Sequence, residues 1–338
     1  MLLSTSSFER KPNRFWLVSM TLSLLVALAL CLTAEYYWRE QGYTPRILDS
    51  AMLWSLERSK ATTGNSLVFV GASRTQFGIH PPTVKKLLPH YQPIMLAVNG
   101  MYPLSTLRNL AEDPQFNGTV LLDVDARGMI KDFWWMQQPY VDYYEHQFTP
   151  NWYIHRLFLN VWQKHTVISR DAMSITETIA RTLDTGRMPW KPNYELKSSR
   201  AGHLIFTEES AKRLAKNFGD QLEQFLEDHP PPPADQWLQE LNLLAQWIET
   251  IENRGGKVIL YEPPVSGRQK SLAESFLPKE QYWDQLISTY HLTAINYQEE
   301  PTLQAFEQPD ESHVKGDSRD EYTAALIQLM IDKGLVEP

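Results

Sequence analysis

The feature that most limits the fold of this chain is an uncharged run near its N-terminus. Twenty consecutive residues, Phe15 to Ala34, read FWLVSMTLSLLVALALCLTA and contain no Asp, Glu, Lys or Arg. A helix of that length covers about 30 Å, which is the thickness of the hydrocarbon core of a bilayer. The rest of the chain is therefore expected to fold as a globular part attached to this segment.

Three interpretations of the segment are open: a cleaved signal peptide, a lipoprotein signal and a retained anchor. The run is longer than the apolar core of a signal peptide, and Leu32 stands where a small residue is wanted before a cut after Ala34. Leu30, which precedes the single cysteine Cys31, is bulky where a lipoprotein signal has a small residue. These features favour a retained transmembrane anchor over residues 15–36.

The charges that flank the segment predict its orientation. Arg10, Lys11 and Arg14 precede the run, whereas acidic and basic residues are mixed on its far side. By the positive-inside rule, residues 1–14 form a cytoplasmic tail and the chain after the anchor faces the periplasm or the cell exterior. The predicted location is the inner (cytoplasmic) membrane, crossed once with the N-terminus inside.

Composition and charge exclude several classes of function. Apolar residues make up 43% of the 338 residues and charged residues 21%, which suffices for a folded core. The net charge of -8 gives no electrostatic reason to bind a phosphate backbone, so nucleic acid is not a predicted partner. One cysteine allows no internal disulfide, and the scattered histidines lack the spacing of a zinc site, so neither a metal nor another cofactor is predicted.

Short apolar runs that end at polar or turn-forming residues predict a parallel sheet. Five runs have the length of buried strands, namely residues 66–71, 93–98, 119–124, 257–261 and 293–297. Helical patterns alternate with them, and the most regular cover residues 208–227, 235–254 and 320–333. This alternation predicts an α/β fold in three layers, with a parallel sheet between helices. We assign residues 37–65 to a connector and 66–338 to the globular domain.

An aromatic-rich stretch at about residues 131–200 interrupts this pattern, and we interpret it as an insertion or cap. Seven of its tryptophan and tyrosine residues lie within a short span, namely Trp134, Trp135, Tyr140, Tyr143, Tyr144, Trp152 and Tyr153. Aromatic faces stack on sugar rings, but such clusters also form core, or surfaces that rest on a membrane or a partner. The sequence leaves these alternatives open.

The sharpest chemical signal is a serine at the end of the first predicted strand, in Gly71-Ala72-Ser73-Arg74. Open parallel sheets bind ligands at the carboxyl ends of their strands. A serine at such a place, where a helix begins, presents its hydroxyl for attack and its backbone N–H to an oxyanion. The same tetrapeptide also suits an ordinary N-cap serine, so a second motif has to decide between the two.

The second motif is Asp310-Glu311-Ser312-His313, close to the last predicted helix. An Asp and a His three residues apart on a tight loop can point to one site, where the carboxylate orients the imidazole and the imidazole accepts a serine proton. Together with Ser73, the pair predicts a Ser-His-Asp triad in which Ser73 is the nucleophile.

In the order and form of these motifs the chain resembles the SGNH (GDSL-like) hydrolase superfamily, whose first block carries the nucleophilic serine and whose last block is DxxH. Residues 96–100, LAVNG, are similar to its second block, and the resemblance implies that the N–H of Gly100 helps to form an oxyanion hole. The GxSR form is common in envelope-anchored members that resemble alginate O-acetylation proteins. The resemblance covers about residues 66–125 and 257–333 and implies a flavodoxin-like sheet.

One departure concerns the third block, from which the family supplies an asparagine amide to the oxyanion hole. The matching strand end reads Asp123-Val124-Asp125, and an ionised carboxylate cannot donate that hydrogen bond. Asn99 is a candidate replacement if its side chain turns into the site. Arg74 is a candidate for binding a substrate group, and its pairing with Asp123 or Asp125 is the alternative.

These residues predict an extracytoplasmic acyl-ester enzyme, either an O-acetyltransferase or an esterase, that acts on an envelope polysaccharide or exopolysaccharide. The predicted partners are this polysaccharide or acyl-ester substrate, the membrane through residues 15–36, and envelope biosynthesis proteins. The alternative is a non-catalytic SGNH-like scaffold, or a polysaccharide-binding component of a membrane-associated export or synthesis complex. A lipid-directed esterase is a third hypothesis, for which the aromatic stretch has to line an acyl channel.

Overall fold

The computed structural model describes residues 14–62, 64–184, 188–189 and 191–338. The predicted cytoplasmic tail lies outside this part of the chain except for Arg14, so Arg10 and Lys11 are outside it too. The chain divides into two compact units. The first consists of Met1–Arg46 with Val161–Lys191, and the second of Ile47–Asn160 with Pro192–Pro338.

Helices and strands alternate through most of the chain. The helices are α1 Arg14–Glu40, α2 Ala51–Arg58, α3 Ser73–Gly78, α4 Pro81–Leu87, α5 Leu104–Glu112, α6 Gln138–His146, α7 Pro150–His165, α8 Ile175–Asp184, α9 Glu208–Asp228, α10 Ala234–Glu240, α11 Asn242–Glu252, α12 Gly267–Phe276, α13 Trp283–Tyr290, α14 Pro301–Gln304 and α15 Arg319–Asp332. The strands are β1 Ser66–Val70, β2 Gln92–Met95, β3 Thr119–Asp123, β4 Tyr194–Leu196, β5 Gly202–Leu204, β6 Lys257–Glu262 and β7 Ala294–Asn296. Short 3-10 helices cover Arg127–Met129, Lys131–Phe133, Asp171–Met173, Tyr297–Glu299 and Gly316–Ser318.

A five-stranded parallel sheet forms the centre of the second unit, in the order β2-β1-β3-β6-β7. Every residue of β1 and of β3 is buried, which is why these strands read as continuous apolar runs instead of alternating ones. The strand order reverses at β1 and β3, and open parallel sheets bind ligands at the carboxyl ends of such a pair. The predicted α/β fold with a parallel sheet is confirmed.

The two faces of the sheet form separate cores. On β1, Val68 and Val70 point into one core and Leu67 and Phe69 into the other, as the two-residue period of a strand requires. Side chains of α5 and α11 complete the first core, and side chains of α4 and α15 complete the second. The second unit therefore consists of helices, sheet and helices in three layers.

The second strand is shorter than predicted. It ends at Met95 instead of Val98, because the N–H groups of Leu96 and Ala97 both donate to the carbonyl of Phe69. Leu96 and Ala97 then lie opposite a single residue of β1, as in a β-bulge, and the regular ladder of hydrogen bonds ends. The chain leaves the sheet at this point and turns at the polar residues that follow the strand.

The single helix predicted over residues 235–254 is divided in two. Helices α10 and α11 meet at Leu241, whose N–H is shared between the carbonyls of Trp237 and Leu238. Leu241 and Trp237 are completely buried, so the packing of these side chains sets the break. The sequence pattern alone shows no interruption there.

The stretch predicted as an insertion or cap, residues 131–200, contributes to both units. Trp134 and Val141 belong to the core on the first face of the sheet, so this part is protein interior. Trp135 and Trp152, in contrast, are exposed. Residues 185–187 and 190 of the stretch lie outside the described part of the chain.

The first unit joins the end of α1 to residues that follow α7. Trp38, Tyr43, Val167 and Met173 are buried against one another and form its small core. Helix α1 is 27 residues long, has a mean hydropathy of 2.4 over its most apolar eighteen residues, and buries none of them. It is thus long and apolar enough to cross a membrane.

Candidate active site

Ser73 lies at the carboxyl end of β1, where α3 begins. Gly71 precedes it because two strands approach closely here: a Cβ on residue 71 would lie 2.6 Å from the Cβ of Asp123. The carbonyl of Ala72 accepts the N–H of Gln76 and starts the helix. The N–H of Ser73 belongs to the first turn of α3, where amides have no acceptor within the helix.

Asp310 and His313 lie on a tight loop between α14 and α15. Glu311 adopts a left-handed conformation with φ of 65°, and the Asp310 carboxylate accepts the N–H groups of Ser312 and His313 at 3.1 and 2.8 Å. The side chain of Glu311 also ties the loop to α12, because its carboxylate accepts the N–H of Arg268 at 2.8 Å. The loop is therefore held from within and from a neighbouring helix.

Ser73, His313 and Asp310 form a continuous hydrogen-bonded chain. Oγ of Ser73 lies 2.8 Å from Nε2 of His313, and Nδ1 of His313 lies 2.8 Å from Oδ2 of Asp310. Asp310 is 1% exposed and His313 is 7% exposed. Burial by itself raises the pKa of Asp310, but hydrogen bonds from the His313 ring and from nearby backbone N–H groups hold that pKa below its usual range.

The charge state of Asp310 determines what the imidazole can do. An ionised carboxylate has no proton to donate, so it accepts Nδ1–H of His313. Nε2 of a neutral imidazole is then left to accept the hydroxyl proton of Ser73. The three side chains therefore have the arrangement that a nucleophile, a general base and a carboxylate orienting that base require.

A cavity of about 400 Å³ opens beside Ser73 and His313. One wall is formed by α9, on which Phe218, Leu222 and Phe225 are spaced to lie on one face of the helix. The ring centroid of Phe218 is 5.8 Å from that of His313. The side chains of Ser73 and His313 therefore adjoin an aromatic wall.

Asn99 and Gly100, in the turn after β2, line the same cavity. Gly100 has φ of 74°, a conformation that residues with a Cβ rarely adopt. The N–H of Asn99 donates to Oε1 of Gln76 at 2.9 Å, and Nε2 of Gln76 donates to Asp49 at 2.7 Å. The buried Gln76 side chain thus fixes the turn that brings Gly100 into the cavity of Ser73.

Arg74 and Asp125 are paired with each other and line a smaller adjoining cavity of about 50 Å³. A guanidinium nitrogen of Arg74 lies 2.9 Å from Asp125 and 3.7 Å from Asp123. Asp125 also lies 3.3 Å from Arg127 and accepts the N–H of Gly128 at 2.8 Å. The pairing of Arg74 with these carboxylates is confirmed, and its contact with substrate stays a prediction.

The acids near Arg74 respond differently to burial. Burial raises the pKa of Asp125, but Arg127 and Arg74 outweigh it and the pKa ends below its usual range. In Asp123 burial outweighs the attraction of Arg74, and the pKa is raised. Glu262 has its pKa raised to about 7 by burial first and by Asp125 second. The neighbourhood of the triad therefore contains one carboxyl group that titrates near neutral pH.

Arg127 is a site residue that sequence analysis missed. It lines the cavity of Ser73, and its guanidinium carbon lies 5.6 Å from the centre of the Tyr102 ring while pairing with Asp125. The sequence signal that could have identified Arg127 is its position two residues after Asp125, which follows a predicted strand. Phe218 and Phe225 were missed too, although their spacing of seven residues on an amphipathic helix marks one face.

One group of possible metal ligands occurs among the described residues, away from this cavity. Asp142, Glu145 and His146 of α6 carry ligand atoms within 4.8 Å of one another, and all three side chains are exposed. Asp142 and Glu145 already accept hydrogen bonds from Gln138 and Asn109. Exposed acidic groups of this kind are common without a metal, and the predicted absence of a metal stays a prediction.

No protein-family model matches the chain, and no curated protein matches it at a significant level. The assignment of a function therefore depends on the geometry of the site.

Proposed function

We propose that this protein is a serine acyl-ester enzyme of the SGNH type, an O-acetyltransferase or esterase that acts outside the cytoplasm on an envelope or secreted polysaccharide. The observation that carries the proposal is the hydrogen-bonded chain of Ser73, His313 and Asp310 at the carboxyl edge of a parallel sheet. A serine that only caps a helix has no need of a buried imidazole and carboxylate behind it. An acyl-transfer site needs both.

In the first step, Oγ of Ser73 attacks the carbonyl carbon of the acyl ester while Nε2 of His313 takes the hydroxyl proton. Asp310 stabilises the imidazolium through Nδ1–H. The N–H groups of Ser73 and Gly100 stabilise the oxyanion, and the positive charge of Arg127 in the same cavity favours it further. The C–O bond of the ester then breaks, the alcohol leaves with the proton from His313, and an acyl-serine remains.

In the second step, an acceptor hydroxyl attacks the acyl-serine. His313 takes the proton of the acceptor and returns it to Oγ of Ser73 as the ester bond to the enzyme breaks. Water as acceptor gives hydrolysis, and a sugar hydroxyl gives transfer. The aromatic rings of Phe218 and Phe225 support a carbohydrate acceptor, since sugar rings stack on aromatic faces.

The location of the activity belongs to the same proposal. Helix α1 supports a single membrane anchor by its length and hydropathy. The cations before it support an N-terminus on the cytoplasmic side and a catalytic part in the periplasm or outside the cell. Enzymes that modify exported polymers work on that side of the membrane, next to the proteins that build the envelope.

A non-catalytic scaffold is the second candidate, and one observation favours it. The end of β3 supplies Asp125, an acceptor already occupied by two arginines and a backbone N–H, where an amide donor is expected. An oxyanion hole that lacks one donor typically loses about a hundredfold or more in rate. In this alternative the cavity binds polysaccharide without turnover.

The two candidates are separated by covalent labelling of the purified full-length protein in detergent micelles. A fluorophosphonate probe reacts with an activated serine, so the wild type should be labelled and should release acetate from an acetyl ester. Ser73→Ala should abolish both signals. Ser271→Ala, which removes an exposed serine on α12, is the matched control and should behave as the wild type.

The outcomes are distinct. An unlabelled wild type, or equal labelling of Ser73→Ala, would contradict the enzyme and leave the scaffold. If labelling depends on Ser73, adding an oligosaccharide acceptor then divides the product between free acetate and acetylated sugar, which distinguishes an esterase from a transferase.

A further inference from the structure

Helix α8 has an apolar face that ends in exposed side chains. Ile175, Ile179 and Leu183 recur at every fourth position, with Glu177 and Arg181 between them. Residues four apart lie on one face of a helix, and in a soluble protein such a face packs on a core. Here Ile179 is 55% exposed and Leu183 is 82% exposed.

The residues before and within α8 are bound to the last turns of α1. Nε1 of Trp38 donates to Oγ1 of Thr178 at 3.2 Å. The carboxylate of Glu35 accepts the N–H groups of Val167 and Ile168 at 2.8 and 3.1 Å. These contacts belong to one compact unit, so α8 is attached where the apolar run of α1 ends.

The depth of this attachment follows from helix geometry. Trp38 is four residues beyond Ala34, the last residue of the uncharged run, which corresponds to about 6 Å along the helix axis. The headgroup layer on each side of a bilayer is about 5–8 Å thick. If α1 crosses a membrane, Thr178, the residue of α8 that Trp38 contacts, lies at the level of the headgroups.

We propose that the apolar face of α8 lies in the headgroup and acyl boundary of the bilayer that α1 crosses, so that lipid covers Ile179 and Leu183. Amphipathic helices bind bilayers in this way, with apolar side chains in the boundary and charged ones toward water. The attachment to the end of α1 favours lipid over a protein partner, because it holds α8 beside the segment that is long and apolar enough to cross a membrane. The proposal rests on α1 spanning a membrane and is independent of any activity of Ser73.

The test places an environment-sensitive fluorophore on single cysteines of the full chain in phosphatidylcholine nanodiscs. In a Cys31→Ser background, Ile179→Cys and Leu183→Cys report the apolar face, and Glu177→Cys on the opposite face is the matched control. Lipids that carry a spin label close to the headgroup act as the quencher. The wild-type Cys31, labelled alone and quenched by lipids with a deep spin label, reports whether α1 is inserted.

We expect emission from positions 179 and 183 to move to shorter wavelength and to be lost to the shallow quencher, while position 177 keeps the emission of a probe in water. Equal quenching at positions 177 and 183, together with quenching at Cys31, would overturn the proposal and leave the membrane anchor in place. Loss of quenching at Cys31 as well would overturn both.

Discussion

Replacing Glu262 with Gln is expected to remove a pH-dependent loss of stability. Glu262 ends β6, and its carboxylate accepts Nδ2 of Asn296 at 2.6 Å. Burial raises its pKa to about 7 from an ordinary value of 4.5, and repulsion from Asp125 adds to the effect. Gln has nearly the same shape, and its carbonyl oxygen can keep the bond from Asn296, but it has no proton to release.

The direction and size of the effect follow from proton binding. Between pH 4.5 and about 7 the folded protein keeps a proton that the unfolded chain has released, so the stability of the wild type falls as the pH rises through this window. At about 1.36 kcal/mol per pKa unit, the loss in the free energy of unfolding is roughly 3 kcal/mol and is complete above pH 7. A midpoint of thermal unfolding changes by roughly 2–4 °C per kcal/mol in domains somewhat smaller than this chain, which gives about 6–12 °C.

The assay is thermal unfolding of the full-length protein in detergent micelles, followed by tryptophan fluorescence from pH 5 to pH 8. The midpoint of Glu262→Gln should rise relative to that of the wild type by most of this amount between pH 5 and pH 8. Glu252→Gln, which changes an exposed acid on α11, is the matched control and should give a constant difference. If the difference in midpoint between Glu262→Gln and the wild type is independent of pH, or shrinks as the pH rises, the prediction that buried Glu262 keeps its proton is wrong.

Three further predictions concern the site. Asp310→Asn should lower turnover of an acetyl ester about 10⁴-fold with little change in the unfolding midpoint, because an amide facing Nδ1 leaves Nε2 of His313 protonated; a loss below tenfold would contradict this role. Gly100→Ala places a Cβ at φ of 74°, and we expect slower fluorophosphonate labelling and a cost of about 1 kcal/mol or more in chemical unfolding. Glu311→Ala should slow labelling by freeing the loop from α12, and Glu311→Gln should restore part of the rate; equal rates for both variants would exclude the contact with Arg268.

The sheet could be predicted from the sequence because its central strands β1 and β3 are buried on both faces. Such strands read as unbroken apolar runs, and the polar residue after each run marks the ligand-binding edge. The relation of Asp310 to His313 could also be predicted, since two residues three positions apart on one tight loop are close in any fold. The structure brings both to Ser73, and their catalytic role stays a prediction.

The remaining parts of the site depend on contacts between residues far apart in the chain. Gln76 binds the turn of Asn99 through a side-chain amide, and Phe218 reaches His313 from another helix. Periodicity shows that a helix has an apolar face but does not show what that face covers. The left-handed Glu311 is also invisible in the sequence, because this conformation is typical of Gly or Asn.

The close approach of Gly71 to Asp123 has a consequence for the history of the chain. The glycine of the Gly71-Ala72-Ser73 motif is required by the neighbouring strand, where the carboxylate of Asp123 also accepts the hydroxyl of Thr75 at 2.7 Å. In related chains, positions 71 and 123 should therefore vary together, with a larger residue at one matched by a smaller residue at the other. This glycine is maintained by the architecture, so it is expected to survive in a descendant that has lost its serine chemistry.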